Sequence, residues 1–424
     1  MTSIEHAIQN RLDHLAVPLR IRLPSGGVIG PPSAEVEVAF HDMAALAPMA
    51  SGNLGALGAK IVTGEVSIDG SMRALMHVVA ALVPDDGQAH KPKPWQRVWW
   101  SLASILRHNR ERDAAQIRFH YDVSDEFYQI WLDPQRVYSC AYFRKADMDL
   151  AQAQTAKLDH ICRKLDLRRG ERFLDIGAGW GGLLFHAAEN YGVDATGITL
   201  SQNQFDHVSQ LITQKGLGDR VRIHLCDYRD LKPERPFDKL ASVGMFEHVG
   251  RANMQLYFRN VHDLLRPGGM AMNHGITVSG LDDAMIGGGL GDFIEKFIFP
   301  GGELLHVSLA IRQLSQAGLE MVDTENLRPH YARTLWCWSD NLEARLPEAE
   351  AVLRKTMTPD RAAEVLRAFR LYLAGCALAF EEGWTSLYQI LMTRPDGQAT
   401  RHDLPGAGSD YPFRRDYIYS PRRD

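Results

Sequence analysis

The sequence predicts an α/β fold, a doubly wound sheet of seven strands preceded by a small α+β unit. Three observations carry this prediction. From about residue 170 onward, short aliphatic and β-branched runs alternate with helix-period stretches, the signature of strand–helix–strand units side by side in a parallel sheet. Directly after the first run, Gly177, Gly179 and Gly182 form G-x-G-x-x-G at a strand-to-helix turn, where glycines let a ligand approach the backbone. The length of 424 residues, with 45% hydrophobic and 23% charged content, exceeds what a lone binding module needs and is too polar for an integral membrane protein.

The elements follow in order. Residues 19–23 and 36–40 alternate at period two around the turn-forming stretches 24–27 and 30–32; residues 62–70 and an apolar, helix-like run to Val83 complete a domain over 1–83, for which lipid binding is one reading. Residues 84–94 turn to Pro, Lys, Asp and Gly and read as a linker. To residue 118 there follows a stretch in which Trp95, Trp99 and Trp100 fall among Arg97, Arg107, Arg110 and Arg112, an amphipathic helix suited either to a membrane surface or to domain docking. The main domain spans 119–393. Its strands are 172–176, 194–199, 221–225, 239–243, a fifth after the turn 266–269, then 318–323 and 386–392. Two insertions, 277–316 and 329–383, interrupt it and are expected to cover the sheet's mouth and shape the substrate pocket. Residues 394–424 form a tail without periodicity.

Composition excludes several function classes. The net charge of −5 argues against nucleic acid. The stretch 91–118 nevertheless holds seven Lys+Arg against two Asp+Glu. At about 1 kcal/mol per basic residue near an anionic surface, it is expected to hold the protein reversibly on a membrane. Cys140, Cys162, Cys226, Cys337 and Cys376 are scattered and contain no C-x-x-C pair, which speaks against a disulfide framework or zinc ribbon and for a reducing cytoplasm. No secretory signal is visible at the N-terminus, and no apolar run approaches the roughly 20 residues that span a bilayer. The histidines show no metal-ligand spacing, so no metal is expected.

The glycine turn narrows the ligand. Strand two ends in Thr199-Leu-Ser201, with no carboxylate to take a ribose hydroxyl, which disfavours a nicotinamide dinucleotide. Asp175 precedes the first glycine and Asp227 follows strand three. Carboxylates there suit the cationic sulfonium and amino group of S-adenosylmethionine and would repel a pyrophosphate.

A set of blocks in order carries a resemblance: His120-Tyr-Asp-Val-Ser-Asp-Glu-Phe-Tyr128, Leu132-Asp133, Tyr138-Ser-Cys-Ala-Tyr-Phe143, Phe173 to Gly182, Thr199-Leu-Ser-Gln-Asn-Gln204, Gly244-Met-Phe-Glu-His-Val249 and Phe297-Ile-Phe-Pro300. Over residues 120–393, with a weaker echo in 64–70, the chain resembles the cyclopropane-fatty-acyl-phospholipid synthases and the related mycolic-acid cyclopropane synthases and methyltransferases. The resemblance implies a class I S-adenosylmethionine-dependent methyltransferase fold with a Rossmann-like seven-stranded sheet. It implies methyl transfer to the cis double bond of an unsaturated phospholipid acyl chain, giving a cyclopropane through a carbocation that a bound bicarbonate deprotonates. The matching base-site residues are Cys140, Glu247, His274, Ile276 and Tyr331. For the cofactor the matches are Tyr138, Ser139, Gly177, Gly179, Trp180, Thr199, Leu200, Gln204, Tyr228 and Arg229, beside the carboxylates Asp175 and Asp227. The aromatic faces of Tyr331, Trp336 and Tyr138 are candidates for the wall that cushions the carbocation.

The implied setting is cytoplasmic and peripheral, at the inner face of the membrane, with a homodimer left open. Two departures from the pattern stand out: Ser124-Asp125 follows the mycolate-type variant, and Gly275 replaces a bulkier residue, which would widen the base site. Three alternatives remain: loss of the proton elsewhere, giving a methyl- or methylene-branched chain; a non-catalytic lipid-binding protein; and a small-molecule N-methyltransferase sharing the glycine turn.

Overall fold

The computed structural model describes residues 18–82, 124–280, 290–298, 303–396, 411–412 and 415–419. The Trp/Arg-rich stretch 91–118, the start of the 120–128 block, residues 299–300 and most of the tail lie outside these residues.

The N-terminal unit is a four-stranded sheet of β1 (Leu19–Arg22), β2 (Val28–Ile29), β3 (Val36–Phe40) and β4 (Val66–Gly70), in the order β2-β1-β3-β4. Helices α1 (Leu46–Ser51) and α2 (Leu54–Thr63) stand between β3 and β4, and α3 (Met72–Leu82) follows. Sequence patterning read this region as strands and turns, and it missed α1 and α2. The signal for α2 was present at its ends: Asn53 accepts from Ala56 N at 2.9 Å as N-cap, and Gly64, at φ 85°, closes the helix. Gly55 and Gly58 inside it lower its helix propensity and masked it.

The main sheet holds β5 (Arg172–Ile176), β6 (Asp194–Thr199), β7 (Val221–Leu225), β8 (Phe237–Val243), β9 (Leu265–Val278), β11 (Glu320–Asn326) and β12 (Thr385–Thr393), with the two-residue β10 (Leu305–His306) beside the end of β9. Its order is β11-β12-β9-β8-β5-β6-β7. The sheet is not wholly parallel, because β12 runs antiparallel to both β9 and β11. The reason lies in the connection. The second insertion sits over the C-terminal ends of the strands, and Gly383 (φ 73°) turns the chain straight from it into β12, so this strand enters from the opposite end.

Ten helices complete the described part of the domain: α4 (Asp125–Trp131), α5 (Leu150–Lys164), α6 (Gly182–Tyr191), α7 (Gln202–Lys215), α8 (Met254–Leu264), α9 (Leu290–Phe297), α10 (Val307–Gln316), α11 (Arg328–Glu343), α12 (Leu346–Leu353) and α13 (Pro359–Glu381). Buried side chains of α5 and α6 cover one face of the sheet, those of α8 and α10 the other. Thus residues 307–316, assigned to the first insertion, form the regular crossover helix between β9 and β11.

A third core lies over the C-terminal strand ends and joins the N-terminal unit to α4, α9, α11, α12 and α13. Arg73 of α3 grips Asp340 of α11 (3.1 and 2.6 Å) and lies 4.3 Å over the Trp336 ring, while Arg367 Nε donates to Val62 O at 2.8 Å. From the tail, Ile418 is buried and the Tyr417 hydroxyl donates to Lys164 O at 3.0 Å. Among the described residues no helix is long and apolar enough to cross a membrane.

Candidate active site

The strand ends of β5, β6 and β8 open into a cleft of about 1220 Å³, its solvent-filled mouth included. The glycine turn explains the opening. Gly177 (φ 81°) and Gly179 (φ 54°) take the left-handed backbone that L side chains avoid, and Gly181 (φ 87°) caps α6 where a Cβ would lie 2.7 Å from the Phe185 ring. All twelve residues expected at the cofactor line this cleft: Tyr138, Ser139, Asp175, Gly177, Gly179, Trp180, Thr199, Leu200, Gln204, Asp227, Tyr228 and Arg229.

Their bonds assign different tasks. Thr199 Oγ1 donates to Gln204 Oε1 (2.7 Å) and accepts from Ser201 N (3.1 Å), locking the turn from β6 into α7. Arg229 donates from Nε (2.8 Å) and Nη2 (2.6 Å) to both oxygens of Asp227, so the charge expected to meet the cofactor there is already answered. Asp175 is different. It is buried, and its Oδ1 has no hydrogen-bond partner among the described residues. Burial, eased by nearby Lys157, pushes its carboxyl up to about 7. An unsatisfied buried carboxylate at a cleft is the natural seat for a cationic ligand.

At the end of β8 a short 3₁₀ turn, Phe246–His248, buries Glu247. Its Oε1 accepts from Ile276 N at 2.6 Å, and its Oε2 has no partner among the described residues. Burial raises this carboxyl to about 7. Ile276 pairs with Leu387 of β12, whose carbonyl accepts from Leu327 N (2.8 Å); the Leu327 carbonyl in turn accepts from Tyr331 N (3.0 Å) and is approached by the Cys140 thiol (3.9 Å). Glu247, Ile276, Tyr331 and Cys140 are thus tied in series through the strand ends and the first turn of α11. Burial pushes the Cys140 thiol far up, so it stays protonated and acts as a small buried group.

His274 stands apart from this series. Its imidazole is on the α5 side of β9, its electrostatic neighbours there being Lys157, Lys164, His160 and Glu325, and burial keeps it neutral. Gln389 Nε2 donates to its Nδ1 at 3.2 Å, which leaves the proton on Nε2, a buried donor without a partner among the described residues. The unpartnered Glu247 Oε2 and His274 Nε2 are one acceptor and one donor. Each alone is a kind of group that a small hydroxylated oxyanion such as bicarbonate binds.

Two expectations are corrected. Trp336, proposed for the carbocation wall, is engaged by Arg73 instead. On a helix it points about 140° away from Tyr331, whereas Trp338, seven residues on, shares the Tyr331 face. Trp338 packs edge-on to Tyr331 (6.1 Å) and lies 5.3 Å from Tyr138 and 5.7 Å from Trp131. Gly275, in turn, does not widen the base site. A Cβ there would sit 2.9 Å from Phe246 Cβ, so Phe246 already fills the space. Gly275→Ala is expected to displace Phe246 and with it the neighbouring Glu247. Turnover should fall at least about tenfold, at a stability cost of about 1–3 kcal/mol, with the cofactor KM unchanged in steady-state kinetics.

Sequence reasoning also missed Lys157, which lines the cleft from α5, and Arg136, which lies 5.4 Å over the Trp180 ring. Lys157 had a signal: it falls four residues after Ala153 and four before Ile161 in the buried stripe of an amphipathic helix, where a lysine is out of place. The segment after Tyr138 is clamped to α11. Ala141 N donates to Thr334 Oγ1 and Phe143 N to His330 Nδ1, both at 3.0 Å, and the Tyr142 ring lies 4.1 Å from the His160 ring and 4.7 Å from the His330 ring.

Residues 108–390 match the family described as mycolic acid cyclopropane synthetase. A probable fatty acid methyltransferase of Pseudomonas putida is 42% identical over 406 residues, 94% of this chain and 97% of that protein. Cyclopropane mycolic acid synthase 1 of Mycobacterium tuberculosis is 36% identical over 284 residues, 65% of this chain and 96% of its own. Among solved structures, mycolic acid cyclopropane synthase CmaA1 complexed with SAH and CTAB superposes with a TM-score of 0.61 at 34% identity, covering 66% of this chain and 98% of that one. Coclaurine N-methyltransferase, at 21% identity and a TM-score of 0.57 over 76% of this chain and 100% of its own, shares the fold.

Proposed function

Because the chain belongs to the mycolic acid cyclopropane synthetase family, S-adenosylmethionine-dependent enzymes of methyl or methylene transfer to lipid, we propose that it converts the cis double bond of an unsaturated phospholipid acyl chain into a cyclopropane. The observation that carries this reading is Glu247, a buried acid with an idle oxygen at the end of a strand beside the cofactor cleft. Simple N-methylation of a soluble amine has no need of it.

Bound in the cleft, S-adenosylmethionine supplies an electrophilic methyl group on a cationic sulfur. Asp175 offers the negative charge that favours this cation, and Trp180 and the Thr199–Gln204 pair shape the pocket around it. Tyr138 borders the cleft and also packs on Trp338, Trp131 and Tyr128, so the aromatic cluster adjoins the cleft that would hold the methyl donor. These ring faces, with Tyr331, exclude water and cushion the positive charge that develops on an alkylated alkene. Ring closure then requires removal of a proton from the transferred carbon. Bicarbonate bound at Glu247 Oε2 would supply the base, and the buried Glu247 carboxyl, raised to about 7, would take the proton on from it in its ionised form. We also propose that residues 91–118 bring the enzyme to the inner face of an anionic membrane, which their local charge favours.

Purified protein with unsaturated phospholipid vesicles and S-adenosylmethionine is expected to yield a saturated cyclopropane fatty acid, one CH₂ heavier than its precursor, in gas chromatography with mass spectrometry. A branched olefin would instead establish the second reading, a methyl- or methylene-branched product, which the name of the Pseudomonas putida relative favours.

A further inference from the structure

Lys157 is buried, 2% exposed, lines the cofactor cleft and has no task in the chemistry above. Its Nζ donates to Ser139 Oγ at 2.8 Å. The titratable groups facing it are Asp133 and Cys140 from the segment that follows α4, Asp175 from β5, His186 from α6 and His274 from β9. Burial keeps the thiol and both imidazoles uncharged at neutral pH. The Asp133 carboxylate accepts from Gln135 N (2.9 Å) and Val137 N (2.8 Å), so backbone amides already satisfy it. Asp175 keeps an oxygen without a partner among the described residues. The cleft therefore contains a buried ammonium, which feels Asp133 more strongly than Asp175, and a buried carboxylate with an idle oxygen whose burial is eased by that ammonium alone.

A cationic cofactor brings a second positive charge to that carboxylate. Two cations against one anion in a water-poor site repel, and the ammonium can relieve this by losing a proton. We propose that Lys157 is the resident counter-ion of Asp175 and releases its proton to solvent when the sulfonium cofactor enters, so that the site distinguishes the cationic methyl donor from its neutral-sulfur product. This rests on the cofactor occupying the cleft as described above. The balance is simple: the ammonium becomes an amine, the proton goes to buffer, and no bond to the cofactor forms. Burial lowers the Lys157 ammonium to about 8, so its loss at pH 7 reduces donor affinity by about tenfold. After methyl transfer the sulfur is neutral, and Lys157 regains its proton beside Asp175.

The test is titration calorimetry on the full chain at pH 7.5, in buffers of different ionisation enthalpy, with S-adenosylmethionine and with S-adenosylhomocysteine. Wild type should release roughly half a proton or more beyond what Lys157→Arg releases with the sulfonium ligand, as expected for a group titrating near pH 8. With the neutral ligand the two proteins should agree. Lys157→Arg, which keeps its charge, should weaken the sulfonium ligand about tenfold and leave the neutral one within about twofold. Lys157→Met should shift the ratio the other way. A lysine that merely supports the fold would change both ligands together, and that result, or equal proton counts, overturns the proposal.

Wild-type protein labelled with ¹³C-lysine decides the matter without any variant. A buried lysine Cε resonance should move to its neutral position with the sulfonium ligand and not with the neutral one, and a stationary resonance overturns the proposal. Failure of wild type to bind either ligand would overturn the assignment of the cleft itself, a separate result.

Discussion

Replacing Glu247 by glutamine is expected to reduce cyclopropane formation by about 100-fold or more, the usual scale of a lost acid–base group, while S-adenosylmethionine binding stays within about twofold. The substitution is nearly isosteric. The amide oxygen can keep the bond from Ile276 N, and the amide nitrogen takes the place of Oε2, which has no partner among the described residues. What is lost is the ability to hold and release a proton. Gas chromatography of the fatty acids and calorimetry of cofactor binding check the two halves separately, and unchanged product would remove Glu247 from the mechanism. Because burial raises this carboxyl to about 7, the ionised form needed to accept a proton accumulates as pH rises through 7. The wild-type rate should therefore climb between about pH 6 and 8 and level off above, and the residual rate of Glu247→Gln should lack that limb.

Asp175→Asn is expected to weaken S-adenosylmethionine binding about 10- to 100-fold, the scale of a charge-assisted interaction, and to make the protein more heat-stable at pH 8. The two effects share one cause. Burial raises the folded-state carboxyl to about 7, so the folded chain binds more protons than the unfolded one between about pH 4 and 7. Stability is therefore lost as pH rises through that window and stays low above it, where an ionised Asp175 is buried. Asparagine carries no such charge, and its melting temperature should exceed wild type by a few degrees at pH 8, with little difference at pH 4. Cofactor affinity runs the opposite way. In wild type, protonation of Asp175 weakens binding of a cation up to about tenfold per unit below pH 7, and in the variant this contribution should be absent, which leaves only that of Lys157. Calorimetry from pH 5.5 to 8 and thermal unfolding at both ends measure it. A variant that binds as tightly as wild type would show that Asp175 only shapes the turn.

Much of the sheet and the cofactor cleft was legible in the sequence because both rest on local rules. Residues 172–176 read as a strand from a short apolar run, and Gly177, Gly179 and Gly182 read as a ligand turn, in which Gly177 and Gly179 take a backbone that only glycine adopts without strain. Helix α2 was hidden for an equally local reason, its own glycines. Tyr331 and Trp338 share a helix face by simple periodicity, so even that pairing was available from spacing alone.

What the tertiary structure decided are the relations between distant segments. It set the antiparallel entry of β12, since the direction of a strand depends on the end from which the preceding insertion returns. It set the fate of Gly275, because Phe246 comes from another strand end, and of Trp336, because Arg73 comes from the N-terminal unit. It separated the two carboxylates beside the glycine turn: Arg229 answers the charge of Asp227, while Asp175 is buried and only eased by the charge of Lys157. The sequence by itself determined which chemical groups this enzyme possesses. Whether each group is charged, paired or idle was decided by burial and by partners far away in the chain, because desolvation and Coulomb interaction act through space.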